Sequence, residues 1–255
     1  MSAAPKISVY LITLNEGRYL EEVLSSVRGA DEIVIVDSGS HDDSLTIAER
    51  HGARVIHQEW LGYAAQKSFA LEQCTHDWVL NLDGDEVLPA GAIEQLRELA
   101  ASNQADGYWL KRDDWWFGGK LPGAKRYKFC RFYRKNKAYW DVTQHVHEHI
   151  RIDGTTQKTN ITMKHYGYDT VHGYMAKLNS YSDLKARVRT ERNRPVSMLR
   201  LLLIYPLMFL KFYLLRGMVF SGWRGFVKAH IDAFHFFLTE AKLYEQRYRC
   251  KHGEK

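Results

Sequence analysis

The chain has 255 residues, 45% of them hydrophobic, 26% charged and 13% aromatic. That is enough for one substantial core, or one core with a smaller appended unit, and it excludes a disordered chain. The formal net charge of +6 is unevenly placed, with an acidic excess over residues 1–110 and a basic excess over the remainder. This argues against a nucleic-acid binder built from the whole chain and points to an anionic partner for the rear half. Cys74, Cys130 and Cys250 show no CxxC spacing, so neither a zinc site nor a disulfide framework is expected, and a reducing cytoplasm fits. The opening "MSAAPKISVY" lacks the pattern of a signal peptide.

In chain order, "ISVYLITLN" (7–15) is apolar and β-branched and predicts a buried strand. Residues 16–30 follow, with Tyr19, Leu20, Val23, Leu24 and Val27 at helical spacing. "EIVIVDSGS" (32–40) predicts a second strand ending on Asp37, and "HDDSLTIAERHG" (41–52) a helix closed by Gly52. "ARVIHQEW" predicts a short third strand and "GYAAQKSFALEQC" (62–74) a third helix. "DWVLNLDGDEVL" predicts the fourth strand, and "PAGAIEQLRELAAS" a helix with Pro89 at its start. An aromatic-rich stretch of strands and loops begins at "DGYWLKRDDWWFGGK".

Repeated strand–helix alternation predicts a parallel sheet with helices on both faces. Right-handed crossovers bring the C-terminal ends of the strands to one edge, where ligands bind in such sheets. Three polar strand endings then face one crevice: Thr13–Glu16, Asp37–Ser40 and Asp83–Glu86. No GxGxxG or GxxxxGK[ST] stands at a strand–helix turn, which speaks against a dinucleotide oxidoreductase or a P-loop NTPase. Asp83 and Asp85 can address one point if the turn at Gly84 brings the backbone round. A divalent cation is the natural compensation, because Mg²⁺ takes one or two carboxylates and completes its shell with water and phosphate oxygens. A solvated turn before a helix is the alternative. Glu86 is expected to point elsewhere, to a backbone amide or a basic residue.

"SVYLITLNE", "EIVIVDSGSHDDS" and "VLNLDGDE", in that order, resemble the nucleotide-diphospho-sugar domain of family 2 glycosyltransferases over roughly residues 6–150. The resemblance implies a GT-A fold, a Rossmann-like and mostly parallel α/β sheet with helices on both faces. It implies that Thr13, Asn15 and Glu16 border the base and ribose and that Asp37 borders the base. Asp83 would touch the ribose or the metal, and Asp85 would ligate Mg²⁺ or Mn²⁺. Lys67 is the candidate basic residue near the nucleotide, with Gln66 beside it. "WLGYAAQKSFAL", "RFYRKNKAYWDVTQHVHEHI" and the basic, aromatic C-terminal tail further resemble bacterial lipopolysaccharide core β-1,4-glucosyltransferases. That subgroup implies a UDP-sugar donor, with glucose from UDP-glucose moved onto an inner-core heptose of a lipid-linked core oligosaccharide acceptor. It also implies a peripheral place at the cytoplasmic face of the inner membrane.

Inverting transfer requires a base at the acceptor hydroxyl. Glu148 is the first candidate and Asp141 the second, both in "DVTQHVHEHI". His145, His147 and His149 alternate as on one side of a strand, and His165 is a further candidate for the metal or diphosphate side. Trp115, Trp116, Arg126, Arg131 and Arg134 combine aromatic faces suited to sugar rings with guanidinium groups suited to phosphate. At least one of the two tryptophans is expected in the core. The same mixture suits single-stranded nucleic acid, against which the acidic sheet edge argues. From about residue 196 the chain is apolar, aromatic and basic, with a longest charge-free run at Leu201–Leu210. Amphipathic helices lying on a bilayer surface are expected there rather than a span; a buried hairpin or a homo-oligomer interface is the alternative. The division is therefore residues 1–165 for nucleotide sugar and acceptor and 166–255 for a helical membrane-associating or oligomerising segment. A nucleotidyltransferase and a non-catalytic membrane-surface or nucleic-acid adaptor are the rival functions.

Overall fold

The computed structural model describes residues 4–121, 127–142, 149–167 and 170–252. Its elements run β1 (Ile7–Thr13), α1 (Gly17–Ser26), β2 (Glu32–Asp37), α2 (Ser44–Arg50), β3 (Arg54–His57), α3 (Tyr63–Gln73), β4 (Trp78–Asn81), β5 (Glu86–Val87), α4 (Ala92–Ser102), β6 (Gly107–Trp116), β7 (Gly119–Lys120), β8 (Tyr127–Arg134), β9 (Ala138–Trp140), β10 (Ile150–Ile152), β11 (Thr156–Tyr166), α5 (Val171–Glu191), α6 (Met198–Leu210) and α7 (Gly222–His252). They fall into two compact units: Met1–Asp113 with Arg126–Tyr166, and Asp114–Lys125 with Gly167–Lys255.

The first unit is built on a sheet ordered β3-β2-β1-β4-β8-β6-β11-β5. Strands β1 to β4 are parallel, with β1 between β2 and β4. Alternation along β1 sends Ile7, Val9 and Leu11 to one core and Tyr10 to the other. The first core receives Leu20, Val23 and Leu24 of α1, Ile47 of α2 and Ile93 and Leu96 of α4. Opposite, Ala70 and Leu71 of α3 pack with Val79, Tyr133 and Trp140. Helices thus cover both faces. Each fully buried Leu or Ile in these layers contributes about 1.5–3 kcal/mol over its exposed state, which is why the apolar spacing fixes which helix face turns inward.

Two features depart from simple alternation. The fourth parallel strand stops at Asn81, and Glu86–Val87 pairs antiparallel with β11 at the other end of the sheet order. The chain from Leu82 to Asp85 is therefore a crossing between two parts of the sheet. Beyond β4 the sheet is extended by antiparallel partners, β4 with β8 and β8 with β6. These later strands lack the crossover helices that a parallel pair needs.

The second unit is helical. Thr170 caps α5, its hydroxyl accepting from the Gly173 amide, and Ser197 caps α6 in the same way toward Arg200. Helix α6 contains Pro206 and continues into one π-turn at Lys211–Leu215. The chain reverses through Gly217, at φ 74°, and a 3₁₀ turn at Met218–Ser221 before α7. Trp116 is core here, packed with Leu121, Ile231 and Tyr174, as expected for at least one of the two tryptophans. The stretch Met198–Leu215 has a mean hydropathy of 1.8 and is long and apolar enough by length and composition to cross a membrane. The ten-residue charge-free run understated this, because Lys211 interrupts the run without ending the helical stretch.

Candidate active site

Three loops follow the C-terminal ends of β1, β2 and β4. Asn15 sits at φ 58°, a left-handed position that Asn tolerates better than most residues. Its amide donates to Ser40 Oγ at 2.9 Å, and its Oδ1 accepts from the His41 amide at 2.9 Å. The Glu16 amide donates to Ser44 Oγ at 2.9 Å. Asp37, 3% exposed, accepts from Thr13 Oγ1 at 3.1 Å, from the Gly39 and Ser40 amides at 2.8 Å each, and from the Ser40 hydroxyl. Burial by itself would raise its carboxyl; the hydrogen bonds from Ser40, Gly39 and Thr13 outweigh it and hold the group below the usual carboxylate range. Thr13, Asn15 and Asp37 thus tie the first two loops together, and four donors occupy the Asp37 oxygens.

The third loop holds the carboxylate cluster, and its compensating charge comes from the protein. Lys67 Nζ lies 2.7 Å from Asp83 Oδ1, and Arg131 Nη2 lies 2.6 Å from both Asp83 Oδ2 and Glu86 Oε1. Arg131 Nη1 donates to Asn81 Oδ1 at 2.8 Å. Glu86 Oε2 accepts from the Asp83 amide at 3.2 Å, so Glu86 turns to a backbone amide and a basic residue, as the sequence led us to expect. Arg131 and Glu86 are 5% and 0% exposed, whereas the Asp83 side chain is 35% exposed. Burial would raise Asp83, but Arg131 and Lys67 pull it far below its ordinary value. Glu86 is pushed up by burial and by the Asp83 and Asp85 charges, against Arg131. Arg131, in turn, is held more firmly protonated, since Asp83 and Glu86 outweigh its loss of solvent.

Asp85 points differently. Its Oδ2 lies 3.3 Å from His165 Nε2, and its carbonyl accepts from the Tyr166 amide at 2.9 Å. His165 is brought there by the pairing of β11 with β5, which sets it opposite Glu86. Both side chains are partly exposed, 29% for Asp85 and 21% for His165. Gly84 lets the loop pass Glu16: a Cβ there would lie 2.8 Å from Glu16 Cγ. Among the described residues no group of three or more His, Cys, Asp or Glu could hold a metal ion. Mg²⁺ or Mn²⁺ needs only one or two carboxylates from the protein and completes its shell with water and diphosphate oxygens, so Asp85, with His165 beside it, fits such an ion. His165, a candidate for the metal or diphosphate side, is thus placed beside Asp85.

Other expected residues fall elsewhere. Gln66 is fully buried and braces the scaffold, donating to Ser38 Oγ at 3.0 Å and to the Gln58 carbonyl at 3.1 Å. Arg131 is the buried counter-charge of the loop rather than a surface phosphate ligand. Arg134 lies over the Trp78 ring, 4.6 Å from its centroid, at the strand start opposite the crevice. Asp141 directly follows Trp140, whose ring centroid lies 5.3 Å from Lys67 Nζ. Glu148, His145, His147 and Arg126 lie outside the described residues. Two residues escaped the sequence reading as site members: Trp140, which backs Lys67, and Tyr10, whose hydroxyl joins Trp140 Nε1 at 3.0 Å and the Tyr133 hydroxyl at 2.5 Å beneath it. A tyrosine inside an apolar strand was the only trace of that chain of bonds.

The model of glycosyl transferase family 2 matches residues 8–155, more than half of the chain, from β1 to the residue before β11. The chain belongs to glycosyltransferase family 2. As such it is an enzyme, a glycosyltransferase, and the nucleotidyltransferase and adaptor alternatives fall away. The GT-A α/β class expected from the sequence is the class of this family 2 glycosyltransferase. It is 34% identical over 249 residues to the lipopolysaccharide core biosynthesis glycosyltransferase LpsC of Rhizobium meliloti (strain 1021), covering 94% of this chain and 92% of that protein. It is 33% identical over 265 residues to an uncharacterized glycosyltransferase of Rickettsia felis, covering 96% of this chain and 92% of that one. Among solved structures, S. aureus TarS superposes with a TM-score of 0.48 at 18% identity, covering 69% of this chain and 39% of that chain. The glucosyl-3-phosphoglycerate synthase of Mycobacterium tuberculosis, in complex with Mn²⁺, UDP and glucosyl-3-phosphoglycerate, gives a TM-score of 0.36 at 25% identity, covering 44% of each chain.

Proposed function

We propose that this family 2 glycosyltransferase is an inverting, metal-dependent enzyme. In this reading it moves a hexose, glucose from UDP-glucose, onto an inner-core heptose of a lipid-linked lipopolysaccharide core. It would work as a peripheral protein at the cytoplasmic face of the inner membrane. The observation that carries the reading is the unequal use of the two aspartates. Lys67 and Arg131 commit the charge of Asp83, while Asp85 stands beside His165 at the crevice.

The loops of Thr13, Asn15, Glu16 and Asp37 border the nucleoside, with Asp37 acting by fixing the loops. Asp83, oriented by its two cations, offers its exposed edge to a ribose hydroxyl. Asp85 and His165 would hold Mg²⁺ or Mn²⁺, which when bound supplies positive charge for the leaving diphosphate. Glu148, or Asp141 in its place, takes the proton from the acceptor hydroxyl as its oxygen bonds to C1 from the face opposite the diphosphate. The C1–O bond to phosphate breaks, UDP leaves and the new linkage is β. The kinship with LpsC supports the core acceptor, and the basic rear half of the chain suits a phosphorylated, membrane-borne substrate.

Purified enzyme is assayed for UDP release from a panel of sugar nucleotides, with and without EDTA. Asp85→Ala is expected to lower transfer about a thousandfold while melting like the parent. A folded Asp85→Ala enzyme of normal activity, or EDTA-insensitive transfer, would overturn the metal reading. No turnover of UDP-glucose alongside turnover of another donor would overturn the sugar assignment.

A further inference from the structure

Beyond Arg200, helix α6 is apolar all round. One face packs on α7, through Tyr205, Met208, Phe209 and Phe212 with Ala229 and Ala233. The other face, including Leu199, Leu202 and Leu207, is 58–67% exposed. Beyond it the chain turns through a segment of exposed apolar side chains, Leu215 at 84%, Phe220 at 79% and Trp223 at 58%. The turn is tightly closed: a Cβ on Gly225 would lie 1.9 Å from the Met218 carbonyl oxygen. Only glycine allows α7 to start that close to the 3₁₀ turn, so the tip is formed in advance and needs no ordering on contact.

The charge around it has one sign. From Arg192 to Ile231 there is no Asp or Glu and there are seven Lys or Arg. Lys211, Arg216, Arg224 and Lys228 stand within two turns of the tip. A second copy of the chain would bring this basic field against itself, which opposes association. An anionic bilayer supplies both the negative charge and the apolar interior.

The hairpin also limits the depth. Helix α7 returns antiparallel to α6, Phe209 meeting Phe226 edge to face and Tyr205 bonding His230. Carrying all of α6 across a bilayer would take Lys228 and Asp232, and Glu240 with its partner Arg200, into hydrocarbon. Each ionised group there is costly. Insertion of the tip alone leaves them in water and sets the basic residues at headgroup level.

We propose that the α6–α7 hairpin is a preformed wedge whose tip, Leu214–Trp223, enters an anionic phospholipid surface to a depth of about 5–10 Å without spanning it. The inference rests on the reading of this chain as a bilayer-surface transferase. The test uses neither donor nor acceptor, so its failure is separable from failure of the transfer chemistry. The full chain is sedimented with phosphatidylcholine vesicles and with vesicles that also contain phosphatidylglycerol, at low and high salt. Binding is expected only to the anionic vesicles and is expected to weaken with salt. Arg216→Glu should weaken it at least fivefold, since each basic residue near such a surface contributes about that factor. Leu215→Glu with Phe220→Glu should abolish it; both sites are exposed, so folding is retained. Brominated lipid chains should quench tryptophan emission in the parent and much less in Trp223→Phe. Equal binding to neutral vesicles, no binding to either, or full quenching in Trp223→Phe would overturn the proposal. So would a dimer that the double variant splits while vesicle binding stays unchanged; a second copy would then be the occupant.

Discussion

Replacing Arg131 with Met tests whether the protein's own cations hold the carboxylate loop together. Met keeps much of the aliphatic bulk and removes the guanidinium that bonds Asn81, Asp83 and Glu86. Asp83 retains Lys67 at 2.7 Å, so its charge stays compensated. Glu86, fully buried, loses its closest cation, and the Asn81 oxygen loses a buried donor. Removing one partner of a buried ion pair costs about 3–5 kcal/mol. We expect about 4 kcal/mol here, because Glu86 is already pushed toward its neutral form and softens the loss by taking a proton. Against a total stability on the order of 5–15 kcal/mol, that is a large share. The assay is urea unfolding at pH 7, followed by tryptophan emission, on the parent, Arg131→Met, Glu86→Gln and the double variant. Glu86→Gln removes the stranded charge, so the double variant should be more stable than the sum of the single losses predicts, by about 2 kcal/mol. An Arg131→Met loss below about 1 kcal/mol, or strictly additive losses, would refute the argument that this guanidinium compensates the buried carboxylates.

Two further outcomes follow from the same geometry. Gly84→Ala places a methyl 2.8 Å from Glu16 Cγ and 3.0 Å from its Cβ, atoms too near the backbone to swing aside. The expected cost is about 1–3 kcal/mol with weaker UDP binding in a calorimetric titration, and an unchanged titration would show that the two loops do not depend on this contact. Glu32, whose side chain is 12% exposed, is held at about 2 from an ordinary 4.5: burial raises it, but Ser8, Thr75 and Arg54 outweigh that. Because its folded value is depressed, its contribution is complete above about pH 4.5 and is lost as pH falls toward about 2. That contribution is on the order of 3 kcal/mol. Glu32→Gln should lower stability at neutral pH and flatten the acid limb of a stability–pH curve; parallel curves for the two proteins would contradict it.

The strand and helix order of the first unit was open to reading from the sequence because its signals are local. Apolar runs such as Ile7–Thr13 and the helical spacing of Leu20, Val23 and Leu24 are set by burial over a few residues. The convergence of Thr13, Asp37 and Asp83 at one edge follows from the handedness of crossovers and was likewise available. The chain alone could not assign the charges. Arg131 reaches Asp83 from 48 residues away and Lys67 from 16, and no periodicity encodes which cation meets which carboxylate. His165 meets Asp85 because an antiparallel partner strand places it there, a register fixed by the sheet as a whole. Sequence therefore determined which loops meet at the C-terminal ends of the parallel strands. Tertiary structure decided which carboxylate is spent on the protein's own cations and which stands beside a histidine, because electrostatic pairing depends on distance through space rather than along the chain.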